Sequence, residues 1–160
     1  MMKMKLMGAT FRLLNLSLFV FLLVCFASCN NEDFISKNFN DYLSLQEVEI
    51  VESPHYYVVF SRYACQTCFN SLLPIFLEAI NHKNTNNFSF IIANQKDYPL
   101  LNQLDYHIIH DDAGEIDRMN INISDFAIIK TNHKIIVDSW NFSLAQNEEF
   151  LSFLKLEFKY

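Results

Sequence analysis

The sequence predicts an α/β domain: a mixed central sheet flanked by helices. Three observations predict it. Short apolar runs alternate with helical stripes, two late apolar runs flank a polar turn as a hairpin would, and a 160-residue chain that is 51% hydrophobic and 15% aromatic can fill a core. Twelve Lys and Arg against eighteen Asp and Glu give a net charge of −6, and no basic cluster follows position 12. Nucleic acid as a partner therefore has no electrostatic basis. Two glycines and three prolines exclude collagen-like and linker-rich chains, and the glycine-rich loops that cradle nucleotides.

The elements follow in chain order. Lys3, Lys5 and Arg12 precede an apolar run over 18–27, the order of an export signal and too short to span a bilayer. Phe26-Ala27-Ser28-Cys29 resembles a bacterial lipobox. Residues 1–28 are then a lipoprotein signal peptide, Cys29 is the lipidation site, and 29–45 form a lipid-anchored tether; a simple cleaved signal and an uncleaved anchor are the alternatives. Loss of Lys3, Lys5 and Arg12 leaves nine basic against eighteen acidic side chains, a net −9. Glu32 and Asp33 resemble the surface-export signal of some Bacteroidetes lipoproteins. Such a chain is expected in the cell envelope, membrane-anchored by its lipid and facing the periplasm or the surface, where disulfides persist.

The remaining 46–160 read as one domain. Residues 56–60 (YYVVF) form an unbroken β-branched and aromatic run, the pattern of a strand buried on both faces. Phe69, Leu72, Leu73, Phe76, Leu77 and Ile80 mark one stripe of a helix. Between them stand Cys65 and Cys68, the two thiols left once Cys25 and Cys29 are assigned to the leader and the lipid. Residues 88–93 predict a second strand, Asp97 and Pro99 open a short helix to 104, and 106–110 predict a third strand. A helical turn over 115–119 leads to a hairpin, 126–130 and 134–138, about a turn at 131–133. Ser143 with Gln146 forms a capping box before a closing helix marked by Phe150, Leu154 and Phe158.

The run from Val58 through Ser61-Arg62-Tyr63-Ala64-Cys65-Gln66-Thr67-Cys68 into the amphipathic helix resembles the thioredoxin superfamily, and more specifically its membrane-anchored TlpA and ResA type. The strand and Asp-x-x-Gly turn of Asp111-Asp112-Ala113-Gly114 and the hairpin beyond Phe126 extend the likeness to about residues 46–160. The resemblance implies a thioredoxin-like fold and a thiol-disulfide oxidoreductase with no bound cofactor, exchanging with protein disulfides and supplied by a membrane electron donor. Cys65, at a helix N-terminus whose dipole favours a thiolate, would be the nucleophile, and Cys68 the resolving thiol. Tyr63, Gln66, Thr67 and Asp125 would border the substrate.

Asp125 falls where the family places a cis-proline facing the CxxC. The preceding peptide is expected to be trans, because a non-proline cis bond costs ~2.5–4 kcal/mol. Val59 occupies the position at which many thioredoxins bury an acid, and Pro74 lies one residue beyond the family's usual helix-kinking proline. A rival reading therefore stands beside the enzyme: a non-enzymatic thioredoxin-like envelope adapter. Cys65 and Cys68 as a permanent structural disulfide is a further alternative, although so short a loop restrains little of the unfolded chain. His107 and His110 with Asp111 and Asp112 could suggest metal ligands, but an odd spacing puts the two histidines on opposite strand faces. A surface turn with no metal is expected there, with His55, His82 and His133 exposed near element ends.

Overall fold

In a computed structural model, residues 30–83, 87–93, 101, 106–119, 121, 123–143 and 147–159 are described. The chain divides into two units, Met1–Phe34 and Ile35–Tyr160; of the first, only residues 30–34 are described. The expected signal peptide, Cys29, most of the helix over 97–104, the side chain of His82 and the capping residue Gln146 lie outside the described residues.

Five strands, β1 (His55–Phe60), β2 (Phe88–Ala93), β3 (His107–Asp111), β4 (Phe126–Asn132) and β5 (Ile135–Phe142), form one sheet in the order β3-β2-β1-β4-β5. β1 runs parallel to β2, and β2 to β3; β4 is antiparallel to both β1 and β5. Among the described residues the helices are α1 (Asn30–Leu45), α2 (Gln66–Lys83) and α3 (Asn147–Phe158), with a 3-10 turn at Ile116–Arg118. All six residues of β1 are buried, as an unbroken apolar run in a central strand requires. Every described peptide bond is trans, including the one before Asp125.

The pleat sends alternate side chains to opposite faces, and each face has its own core. Tyr56, Val58 and Phe60 of β1 meet Phe76 of α2 and Phe150, Phe153 and Phe158 of α3. Tyr57 and Val59 point the other way, into a second core with Ile91, Ile109, Ile116 and Ile129. That second core is closed by α1. Phe39, Tyr42 and Leu43 are fully buried in it, with Phe39 edge-on to Tyr57 at 5.1 Å.

The expected tether through residue 45 is therefore corrected, because from Ser36 onward this segment belongs to the fold. Ser36 Oγ accepts the Ile136 N–H at 3.1 Å, and Asn40 Nδ2 donates to the Lys134 carbonyl at 2.8 Å. α1 ends in a Schellman turn. Val48 N–H reaches the Leu43 carbonyl at 2.9 Å and Glu47 N–H the Ser44 carbonyl at 3.1 Å, with Glu47 left-handed at φ 55°.

The third strand begins one residue later than expected and ends at Asp111. The hairpin is longer than 126–130 and 134–138, and its two turn residues are His133 and Lys134, with φ of 49° and 65°. This is the positive-φ pair that a tight two-residue hairpin demands. A register shift at Lys130/Thr131 bends the ladder. His55, expected exposed, is 8% exposed. It lies in the central strand, its Nε2 2.9 Å from Ser89 Oγ, and Ser89 Oγ is 3.3 Å from His107 Nδ1 on β3. Burial, and then the neighbouring His107, depress the His55 pKa to about 4.

Candidate functional site: the Cys65 turn

β1 delivers the chain to the turn at Ser61, which is wholly buried. Ser61 Oγ accepts the Tyr63 N–H at 3.1 Å and its carbonyl accepts the Ala64 N–H at 3.0 Å. A short polar side chain thus closes the turn on itself. Ala64 is buried while Tyr63 is 77% exposed. Cys65 follows, exposed and disulfide-bonded, in the position immediately before the first residue of α2. The first N–H groups of a helix have no acceptor within it, and α2 carries no acidic residue in its first turn to compete for them. Negative charge developing on a sulfur there is favoured by the helix dipole.

The other expected residues fall as follows. Gln66 and Thr67 open α2, half-buried and exposed, and Cys68 lies within that helix's first turn. Asp125 stands opposite the turn. Its carbonyl accepts the Ser61 N–H at 3.1 Å, and its own N–H donates to the Phe142 carbonyl at 3.3 Å. The N–H of Ser124, one residue earlier, donates to Asn141 Oδ1 at 2.8 Å. The backbone facing the Cys65 turn is thus laced into β1 and β5. Val59 is fully buried, an apolar residue directly behind the turn. α2 continues through Pro74.

Two residues matter more than the sequence indicated. Arg62 is an anchor: its Nε donates to Asp117 Oδ2 at 2.8 Å and its Nη2 to the Gly114 carbonyl at 2.9 Å. It ties the Cys65 turn to the loop after β3. Gly114 adopts φ +65°, and a Cβ there would stand 1.7 Å from Arg62 Nη2, so a close approach and a left-handed backbone both demand glycine. Asp111, placed by the sequence in a surface turn, is completely buried. Its two carboxylate oxygens accept the N–H groups of Glu115 and Ile116, each at 2.8 Å, an N-terminal cap for the 3-10 turn. The hint was the Asp-x-x-Gly spacing; Arg62's partners, more than fifty residues away, left no local signal. His107 and His110 are both exposed on β3.

No protein-family model matches the chain, and no curated protein matches it. Among solved structures it is similar to a secreted Mycobacterium tuberculosis disulfide oxidoreductase homologous to E. coli DsbE. That likeness has 12% identity and a TM-score of 0.40, over 63% of this chain and 81% of the other. A Chlorobium tepidum protein provisionally named thiol:disulfide interchange protein DsbE shares 14% identity over 72% and 83%, with a TM-score of 0.44. The Xanthomonas campestris bacterioferritin comigratory protein shares 13% over 66% and 78%, with a TM-score of 0.35. At these values the likenesses carry no chemistry to this chain. The fold is thioredoxin-like by its own topology: a β1-α2-β2 unit, a parallel third strand on one side, an antiparallel hairpin on the other, and a closing helix.

Proposed function

We propose that the protein is a lipid-anchored, extracytoplasmic thiol-disulfide oxidoreductase of the TlpA and ResA type that exchanges with protein disulfides through Cys65 and Cys68. One observation carries this reading: Cys65 is disulfide-bonded, exposed, and set at the N-terminus of α2 on a turn fastened at both ends. Its partner in that bond is proposed to be Cys68, three positions on. In the reducing direction, Cys65 thiolate attacks a substrate disulfide and one substrate sulfur leaves as a thiolate. Cys68 thiolate then attacks Cys65, the mixed disulfide breaks, and the second substrate sulfur leaves reduced. The protein ends oxidised, and a membrane donor restores its two thiols. Tyr63, Gln66, Thr67 and Asp125 border the incoming chain. Cys29 carries the lipid that holds the domain in the envelope.

Two assays test this. The purified protein should catalyse reduction of insulin by dithiothreitol, and the Cys68→Ser variant should accumulate a mixed disulfide at Cys65. Absence of both would overturn the enzyme. Labelled palmitate should enter the wild type and not Cys29→Ala; equal labelling would overturn the anchor. The adapter reading is favoured by one observation, the backbone of Ser124 and Asp125 bonded internally to Asn141, Phe142 and Ser61. It requires both redox assays to be negative in a folded protein.

A further inference from the structure

Arg62 stands three residues before Cys65, and its side chain reaches out of the turn to another part of the fold. Nε donates to Asp117 Oδ2 at 2.8 Å, while Nη2 donates to the carbonyls of Gly114 at 2.9 Å and Ala113 at 3.4 Å. A planar guanidinium held through two nitrogens fixes direction as well as distance, which a single ammonium does not. The loop that receives it is itself fastened. Asp111 caps it with both carboxylate oxygens, the Gly114 N–H returns to the Asp111 carbonyl at 3.0 Å, and Ile116 is fully buried in the core closed by α1. One of the chain's two glycines stands where a Cβ would meet Arg62 Nη2. The loop is shaped to admit this side chain.

Stability alone does not account for the arrangement. The Arg62 side chain is 33% exposed, and an ion pair this open to water contributes little to folding. We infer that Arg62, fastened by Asp117, is a positioning residue for thiol exchange: it holds the Cys65 turn so that the sulfur meets a substrate disulfide in line. The inference rests on the proposed chemistry. In that step the Cys65 thiolate bonds to one substrate sulfur, and the other leaves with the electron pair of the broken S–S bond. Arg62 exchanges neither proton nor electron. Its contribution is geometric, and misplacing a reacting atom by about 1 Å can cost roughly a hundred-fold in rate.

The test separates geometry from charge. Arg62→Met combined with Asp117→Asn removes a cation and an anion together, so the net charge near the turn is kept while the link is lost. In the full-length chain carrying Cys68→Ser, in non-ionic detergent, mixed-disulfide formation with insulin would be timed. The pH dependence of iodoacetamide alkylation, read by mass at the Cys65 peptide, would titrate the thiol. The double variant should form the mixed disulfide about ten-fold more slowly than its parent, with the same alkylation midpoint. Arg62→Lys keeps the charge without the two-nitrogen hold, and it should recover only part of the rate. Each rate is taken well below the variant's own melting temperature, where a merely structural role would leave it at the parent's value. A double variant as fast as its parent, a slowing matched by a moved alkylation midpoint, or full rate in Arg62→Lys would overturn the inference. A parent that forms no mixed disulfide removes the proposed chemistry, and this inference with it.

Discussion

The two faces of the sheet are built differently. The face under α2 and α3 is half aromatic, with Phe60, Phe76, Phe88, Phe90, Phe126, Phe150 and Phe158 all buried there among leucines and isoleucines. Phe76 stands edge-on to Phe88 at 6.1 Å and to Phe158 at 6.4 Å. The face under α1 is smaller and mostly aliphatic. It admits polar groups: Ser36, Tyr42 and, adjoining it, Asp111. The Tyr42 hydroxyl is buried with no hydrogen-bond partner among the described residues, and burial together with the charges of Asp111 and Asp117 raises its pKa. The same Asp117 receives Arg62 from the Cys65 turn. The face under α2 and α3 holds the larger cluster of buried side chains, while the smaller face holds the loops that fix the turn's position.

If that division is right, removing α1 has the largest effect. A chain beginning at residue 46 loses the burial of Phe39, Tyr42 and Leu43, about 5–8 kcal/mol by transfer arithmetic, which is most of an ordinary domain's stability. Denaturant melts should show cooperative unfolding for a chain beginning at Asn30 and none for the shorter one. Next in size, Phe39→Ala should cost about 3–5 kcal/mol in the same assay. An equal melt for wild type and variant would return α1 to the status of a tether.

The third effect depends on pH. His55 has a folded pKa of about 4 against the ordinary imidazole value of 6.5, so the unfolded chain binds its proton first as pH falls. The stability it contributes is complete above pH 6.5 and is lost as pH drops through that value toward 4, by up to about 3 kcal/mol. The difference in unfolding free energy between wild type and His55→Gln, measured from pH 7.5 to 4, should change by that amount; a flat difference would place the imidazole in water. Smallest is Glu47→Gly, which relieves a left-handed non-glycine residue at the end of α1 and should add about 1 kcal/mol.

The contrast between faces also explains what the sequence disclosed. Strands β1 and β2 and the helix after Cys68 were legible because each repeats its apolar pattern without interruption: YYVVF, FSFIIA, and Leu72, Leu73, Phe76, Leu77 and Ile80 at helical spacing. α1 was missed although Phe39, Tyr42 and Leu43 stand at offsets of three and four. Asn and Asp crowd around them, and their partners lie on strands that are distant in sequence. His55 was misread for a related reason, since a histidine at a strand's first residue looks exposed until neighbouring strands close over it. The Cys65 turn was legible as a motif, whereas its fastening by Arg62, Gly114 and Asp117 is a tertiary fact with no local trace.

A redox titration tests the proposed chemistry most directly. The oxidised protein would be equilibrated across a ladder of dithiothreitol ratios and its free thiols counted by alkylation mass shift. Opening of a single disulfide in one two-electron step, at a potential above about −300 mV, is the expected result. A bond that opens only below that value, or that resists dithiothreitol until the domain unfolds, would mark Cys65 as structural and contradict the account.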